Sequence, residues 1–308
     1  MTVSRAVGRV RFGLAAVCLS VALVVVSGVA FTRGGGSGPG TPEGRGPVSS
    51  SDVAPTGDMA GSIASLQSRL KRLPGDYDAW ASLGTAYVQQ ARITGDPSYY
   101  AKAAGVLRRS MDVKPSDNPA ALTGQAALAA ARHDFARALH LTNKSLAVNA
   151  YSSATMAILV DSLVELGRYQ DATKALQRFV DVKPGVPAFT RVSYNYELHG
   201  NLAGARFAMQ RALATAYSSN DRAFALFELG ELAWNNGELA HAHALYRKGW
   251  AADHDYVANL YGLAKADAGL GDEQRAVQRY QRLVFHDHDL GLMPGFHRHD
   301  TGVRRELG

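Results

Sequence analysis

A short polar turn recurs along the chain between segments whose apolar side chains follow a helical spacing. Its first residues are 34, 33, 37 and 34 positions apart and are His133, Gly167, Gly200, Gly237 and Gly271. An alanine comes five residues after each, and four residues later comes a side chain that is large in most copies. These alanines are Ala138, Ala172, Ala205, Ala242 and Ala276, and the later residues are Thr142, Leu176, Met209, Tyr246 and Tyr280. The pattern predicts repeated helical hairpins, with alanine where two helices cross closely and the later residue filling the space between hairpins.

A generic alanine-rich helical bundle is the alternative. It would show a 3.6-residue periodicity, but it gives the turns no reason to recur near 34 residues. The spacing therefore favours an array of hairpins. Ahead of the array, residues 62–73 form a predicted capping helix that ends at Pro74-Gly75. Its apolar face consists of Ile63, Leu66, Leu70 and Leu73.

The motif Trp80-x2-Leu83-Gly84-x2-Tyr87 resembles the first helix of a tetratricopeptide repeat. Ala104, Leu107 and Pro115 match the second helix and exit turn of such a repeat. The resemblance implies an all-α fold, a right-handed α-solenoid of about six hairpins within residues 62–289. Residues 290–308 are predicted to be an irregular tail. The sequence departs from the family pattern in its second repeat, which lacks the Trp and the Leu-Gly pair, and in having no amphipathic solvating helix after the sixth.

The N-terminal residues predict a membrane anchor followed by a tether. Residues 12–31 are 20 residues without a charge, long enough as a helix to span a bilayer. Arg5, Arg9 and Arg11 precede them and only Arg33 follows closely, which places the basic segment 1–11 in the cytoplasm and the array outside. A signal peptide cleaved after Ala30 is the alternative and would release a soluble secreted protein. Residues 32–61 are rich in Gly, Pro and Ser and predict a flexible linker.

Four stretches of the array are similar to membrane-anchored bacterial tetratricopeptide proteins: 81–92, 96–100, 126–136 and 230–235. That group has no settled biochemical role. The resemblance implies an architecture and a location at the membrane, and it leaves the partner unnamed.

Charge and composition exclude several classes of function. The net charge is +6, and residues 1–45 contribute +4 of it, so the rest of the chain is nearly neutral. It therefore lacks the excess of basic residues that binding to nucleic acid requires. The single cysteine, Cys18, lies in the apolar run, which excludes disulfides and cysteine-based zinc sites in the array. No phosphate-binding loop, His-Glu-x-x-His motif or nucleophile elbow is present. We therefore expect no enzyme activity, no cofactor and no small-molecule substrate.

The tetratricopeptide resemblance implies that the first helix of each repeat lines a concave surface. In the first two repeats the implied positions carry mostly small side chains. In repeats 4 to 6 they carry aromatic and charged side chains, the composition of energetically dominant interface centres. The residues are Arg191, Tyr194, Glu197, Phe224, Phe227, Glu228, Glu231, Trp234, Asn235, Tyr261 and Lys265. We predict a groove for a peptide or helix of a protein partner here; the alternative is that several of these aromatic side chains pack between hairpins.

Histidines are concentrated near the C-terminus, where they alternate with aspartates. His286, His288, His297 and His299 are four of the ten histidines of the chain, and imidazole with carboxylate suits zinc, copper or nickel. A solvated tail is the alternative, since such pairs in an irregular segment lack the rigid surroundings of a metal site. The leading prediction is a non-enzymatic protein-binding scaffold on the outer face of the cytoplasmic membrane, with a metal-binding protein and a secreted binder as alternatives.

Overall fold

The computed structural model describes residues 59–289, and this part of the chain consists of thirteen α-helices joined by short turns. They are α1 (Met59–Arg72), α2 (Tyr77–Thr94), α3 (Ser98–Val113), α4 (Pro119–Ala131), α5 (Phe135–Val148), α6 (Ser153–Glu165), α7 (Tyr169–Val182), α8 (Val186–Leu198), α9 (Leu202–Ala214), α10 (Ser219–Asn235), α11 (Leu239–Ala252), α12 (Ala258–Gly269) and α13 (Glu273–Asp289). Helices α2 to α13 pack in consecutive pairs as hairpins 1 to 6. The prediction of an all-α array of six hairpins is confirmed.

Helix α1 packs against α2 and covers the start of the array. It begins at Met59, three residues before the predicted capping helix and inside the range predicted to be linker. The physical reason is that Met59 is apolar and lies one turn ahead of Ile63, so its burial extends the apolar face of the helix. Together with Leu70 these side chains join the core of hairpin 1.

The turns within hairpins 2 to 6 share one backbone conformation. Gly167, Gly200, Gly237 and Gly271 have φ between 71° and 85°, and His133 takes their place in hairpin 2 with φ 61°. The backbone N–H of the next residue then donates to a carbonyl near the end of the first helix. Examples are Arg168 N donating to Leu163 O and Asp134 N donating to Ala129 O. The predicted turns are therefore confirmed, and each requires a residue that tolerates the left-handed region.

The two helices of each hairpin cross where the second helix carries a small residue. The five alanines predicted for this position are all buried, and so are the five residues predicted to fill the space between hairpins. In hairpin 1 the small residue is Ala103, which is fully buried, and our assignment of Ala104 was one residue too late. The turn between α2 and α3 also contains a glycine with positive φ, Gly95 at 66°, but this glycine directly follows the helix, whereas in hairpins 2 to 6 one residue separates the helix from the residue with positive φ. Helix α2 is also longer than α4, with 18 residues against 13, so the spacing of the other hairpins does not apply here.

A large side chain of the second helix is held between glycines of two successive hairpins. A Cβ atom built on Gly230 of α10 would lie 2.3 Å from Cε1 of Tyr246 in α11, and one on Gly262 of α12 would lie 2.5 Å from Cδ1 of the same ring. Leu107 lies between Gly84 and Gly124 in the same way. The glycines therefore permit the close approach that stacks one hairpin on the next.

The first helices of successive hairpins form the inner layer of the stack. α2 packs on α4, α4 on α6, and α10 on α12, while the second helices pack mainly on the first helices beside them. A stack whose elements are closer together on one side curves toward that side. The first helices therefore line the concave face, as the tetratricopeptide resemblance implies.

Within the described residues, no helix combines the length and the apolar character that crossing a membrane requires. The predicted transmembrane helix, residues 12–31, lies outside the described residues, as do most of the predicted linker and the tail 290–308.

Candidate protein-binding groove

The eleven residues predicted to line a groove lie on α8, α10 and α12, the first helices of hairpins 4 to 6. Arg191 and Phe224 are buried. The others keep some exposed surface and are Tyr194, Glu197, Phe227, Glu228, Glu231, Trp234, Asn235, Tyr261 and Lys265. We call these nine residues the C-terminal groove. They form one aromatic and acidic surface on the concave face.

Arg191 joins α8 to the preceding hairpin and is not available to a partner. Its Nε and Nη2 atoms donate to the two carboxylate oxygens of Asp161 in α6, both at 2.7 Å, and Nη1 donates to the carbonyl of Pro187 at 2.9 Å. The arginine side chain is only 3% exposed. A two-pronged ion pair with so little exposure fixes the angle between neighbouring hairpins, so the prediction of Arg191 as a contact residue is corrected to a structural role.

Phe224 also has a structural role. Its ring lies edge-on to Tyr256, with centroids 6.3 Å apart, and it shares a small core with Val186 at the start of α8. The alternative interpretation of the aromatic positions, packing between hairpins, therefore holds for this residue.

Lys265 and Glu231 form the polar centre of the groove. Lys265 Nζ donates to both carboxylate oxygens of Glu231, at 2.6 and 2.9 Å, and lies over the Trp234 ring, 4.7 Å from its centroid. The Tyr246 hydroxyl donates to Oε1 of Glu231 at 2.6 Å. Burial and the Glu231 charge raise the pKa of Tyr246 well above its ordinary value, so the phenol stays protonated. One ammonium group is thus already held here by a carboxylate and an aromatic face.

Glu197 of α8 and Glu228 of α10 add two further carboxyl groups to this surface. Burial, reinforced by the charge of Glu231, raises the pKa of Glu197 to about 7. Burial raises the pKa of Glu228 to about 8, with Glu231 and Glu197 as further causes. Among the described residues, neither forms an ion pair with a basic side chain, in contrast to Glu231. At neutral pH a substantial share of the two groups is therefore protonated.

Aromatic rings border the acidic groups. The Phe227 centroid lies 5.8 Å from that of Tyr246 and 6.1 Å from that of Tyr256. Tyr261 contacts Tyr280 of the last helix, with centroids 6.2 Å apart. Phe227 and Trp234 pack against the core and are only partly buried, so each keeps some exposed surface.

Tyr256, Tyr246 and Asp161 contribute to this region and were not among the predicted site residues. Tyr256 lies in the turn before α12, outside the helical positions from which the groove was predicted. Tyr246 was predicted as packing between hairpins, which is confirmed, but its hydrogen bond to Glu231 has no signal in the sequence. Asp161 pairs with a residue 30 positions away, so no local pattern indicates it.

Two of the four histidines of the predicted metal site lie at the end of the described residues and two lie outside them. Among the described residues, no group of three or more potential metal-ligating side chains lies together. The backbone of α13 continues to Asp289 and includes His286 and His288, while His297 and His299 lie outside the described residues. The metal interpretation of these histidines stays a prediction.

No protein-family model matches the chain, and no curated protein matches it. Several solved structures are similar to the chain. A chain of the Cut9–Hcn1 hetero-tetramer of the APC/C matches it with a TM-score of 0.61 and 14% sequence identity, and the match covers 82% of this chain and 47% of the other. A tetratricopeptide repeat protein from Parabacteroides merdae gives 0.58 at 14% identity, over 82% and 93% of the two chains. The chain has the tetratricopeptide-repeat fold. The pilF protein of Pseudomonas aeruginosa gives 0.51 at 17% identity, over 67% and 90%. The tetratricopeptide array spans about half of the Cut9–Hcn1 chain that it matches.

Proposed function

We propose that this tetratricopeptide chain is a non-enzymatic scaffold that binds a segment of a protein partner in the C-terminal groove. The observation that carries the proposal is the asymmetry of the concave face. Its N-terminal half is lined by small side chains such as Ala127 and Ala130, whereas its C-terminal half presents Phe227 and Trp234 beside charged groups. Partly exposed aromatic side chains next to ionic groups provide much of the binding free energy of protein interfaces.

The fold supports a binding role. A stack of hairpins builds an extended concave surface that suits a peptide or a helix. The Cut9–Hcn1 structure is itself an assembly of two kinds of protein. Fold alone does not determine function, so the chemistry of the groove carries the proposal for this chain.

We further propose that the array is displayed on the outer face of the cytoplasmic membrane. The support is the uncharged run 12–31, the arginines before it, and the Gly-rich linker that follows. N-terminal sequencing of the mature protein, with protease treatment of intact and opened cells, tests this. A chain that starts at residue 31 and leaves the membrane fraction would contradict it and favour the secreted alternative.

Alanine substitution in the groove tests the binding proposal. Phe227→Ala and Trp234→Ala in the full-length chain should each weaken capture of its partner by about tenfold or more, the range of an interface centre. Phe207→Ala on α9 and Tyr217→Ala before α10 are matched controls, because these aromatic side chains are 61% and 93% exposed and lie outside the groove. Circular dichroism checks that all four variants fold. Equal capture by the groove variants and the controls would refute the proposal.

A further inference from the structure

The C-terminal groove contains three carboxyl groups and one basic group. On its surface Glu197, Glu228 and Glu231 face one another, and Lys265 neutralises only Glu231. The phenols of Tyr246 on α11 and Tyr256 before α12 interact with these carboxyl groups, and burial keeps both phenols neutral. The groove also contains the phenols of Tyr194 and Tyr261. Toward the N-terminal half, by contrast, Arg191 is neutralised by Asp161. The groove therefore has room for positive charge that the described part of the chain does not supply.

The chain itself shows how this surface holds a cation. Lys265 Nζ lies against the Glu231 carboxylate and over the Trp234 ring, a combination of charge-assisted hydrogen bonds with an aromatic face. Glu228 is placed in a similar setting one turn earlier on α10. The Tyr256 phenol is close enough for the charge of Glu228 to raise its pKa, and the Phe227 ring lies against Tyr256. A second ammonium or guanidinium group would find a carboxylate and aromatic faces together here.

We propose that the partner segment is basic, and that a Lys or Arg of that segment is received by Glu197 and Glu228 beside Phe227 and Tyr256. This inference rests on the proposed function, whose groove it uses. The arrangement of carboxyl groups favours one class of partner. A cationic segment gains ion pairs with Glu197 and Glu228 when these groups ionise, whereas an acidic segment would face three carboxyl groups.

Binding of a basic segment is linked to release of protons. Because the pKa of Glu197 is about 7 and that of Glu228 about 8, protons compete with the cation at neutral pH. An ion pair requires the ionised carboxylate, so binding strengthens as the pH rises, by up to roughly tenfold per pH unit for each proton released. Mild acid therefore weakens the complex.

A random 12-residue peptide library displayed on phage tests the inference without knowledge of the natural partner. The purified full-length chain is the bait at pH 8.5, with Phe227→Ala as the parallel bait. We expect peptides enriched on the wild-type bait over the Phe227→Ala bait to carry Lys or Arg and to elute at pH 5.5. The affinity of a labelled enriched peptide is then measured by fluorescence anisotropy between pH 5.5 and 8.5.

The double variant Glu197→Gln, Glu228→Gln separates charge from shape. It should bind the enriched peptide at least tenfold more weakly at pH 8.5 and lose the pH dependence, while the exposed control Glu273→Gln behaves as wild type. Removal of two crowded carboxylates leaves the double variant folded, which its melting curve verifies.

The outcomes also distinguish the inference from the proposed function. The enriched peptides could need Phe227 but show no excess of Lys or Arg, or they could bind the double variant and the wild type equally well. Either result would refute the inference of a basic partner segment without contradicting the proposed binding groove. If no peptide is enriched over the Phe227→Ala bait, both the inference and the proposed function fail.

Discussion

Substitution of Gly230 by alanine tests the packing that stacks hairpin 5 on hairpin 6. The new Cβ would lie 2.3 Å from Cε1 of Tyr246, about an ångström short of the 3.4 Å at which ordinary van der Waals contact begins. The Tyr246 ring is fully buried and cannot swing into solvent. It also cannot retreat toward α12, because Gly262 is equally close on its other side. The clash must therefore displace a helix.

The expected cost follows from two opposing effects. Forcing extra volume into a packed core costs about 1–3 kcal/mol, and replacing glycine by alanine within a helix returns about 1 kcal/mol. We expect Gly230→Ala to lower the free energy of unfolding by about 1–2 kcal/mol, since the ring is held on both sides. Gly105→Ala in α3 is the matched control, because no atom lies within 4 Å of its new Cβ. It should stabilise the chain by about 0.5–1 kcal/mol.

Urea denaturation followed by circular dichroism measures both variants. The same Gly230→Ala change made in a Tyr246→Ala background should cost nothing, because the ring that it strikes is gone, and this non-additivity identifies the contact. If Gly230→Ala stabilises the wild-type chain as Gly105→Ala does, the sandwiched ring is not the element that joins these hairpins.

Three further predictions concern buried polar groups. The melting temperature should fall as the pH rises from 5 to 8.5. The folded chain keeps protons on Glu197 and Glu228 that the unfolded chain loses near the ordinary pKa of 4.5. Gln at both positions should flatten this dependence on pH, and an unchanged dependence would contradict the burial of these carboxyl groups. Arg191→Met should lower the free energy of unfolding, measured by urea denaturation, by about 3 kcal/mol, because it leaves Asp161 without its ion-pair partner. Adding Asp161→Leu to the same chain should recover part of this loss. Equal stability of wild type and Arg191→Met would refute the role of this ion pair in joining the hairpins. Asn118→Ala should lower the free energy of unfolding by about 2 kcal/mol. The buried Asn118 side chain accepts a hydrogen bond from Ala121 N at the start of α4 and donates one to the Ser110 hydroxyl. A loss below about 0.5 kcal/mol would contradict this capping role.

The architecture could be predicted from the sequence because its requirements are local. A turn with positive φ needs a residue that tolerates the left-handed region, and four glycines meet this requirement at a nearly constant spacing. Even His133 fits, as histidine is enriched among non-glycine residues in this region. The close crossing of the two helices of a hairpin needs a small residue at a fixed number of residues after this turn. In hairpin 1 the residue with positive φ, Gly95, lies eight residues before the buried Ala103 and not five, so the common spacing did not identify Ala103 and Ala104 was assigned instead.

The groove could be predicted only in part because its details depend on residues far apart in sequence. The tetratricopeptide resemblance implied that Glu197, Glu228 and Glu231 lie on the inner layer, but it could not show which of them would meet Lys265. The burial of Arg191 depends on Asp161 in another hairpin. Membership of a helix face is a local property, whereas burial and ion pairing depend on how the hairpins stack.

Photo-crosslinking in cells tests the binding role of the C-terminal groove most directly. A benzophenone amino acid is placed at position 227 or 234 of the full-length chain, and at positions 207 and 217 as exposed aromatic controls outside the groove. We predict that one protein crosslinks from both 227 and 234, and from neither control position. A protein that crosslinks from 207 or 217 but not from 227 and 234 would contradict a partner bound in the concave groove.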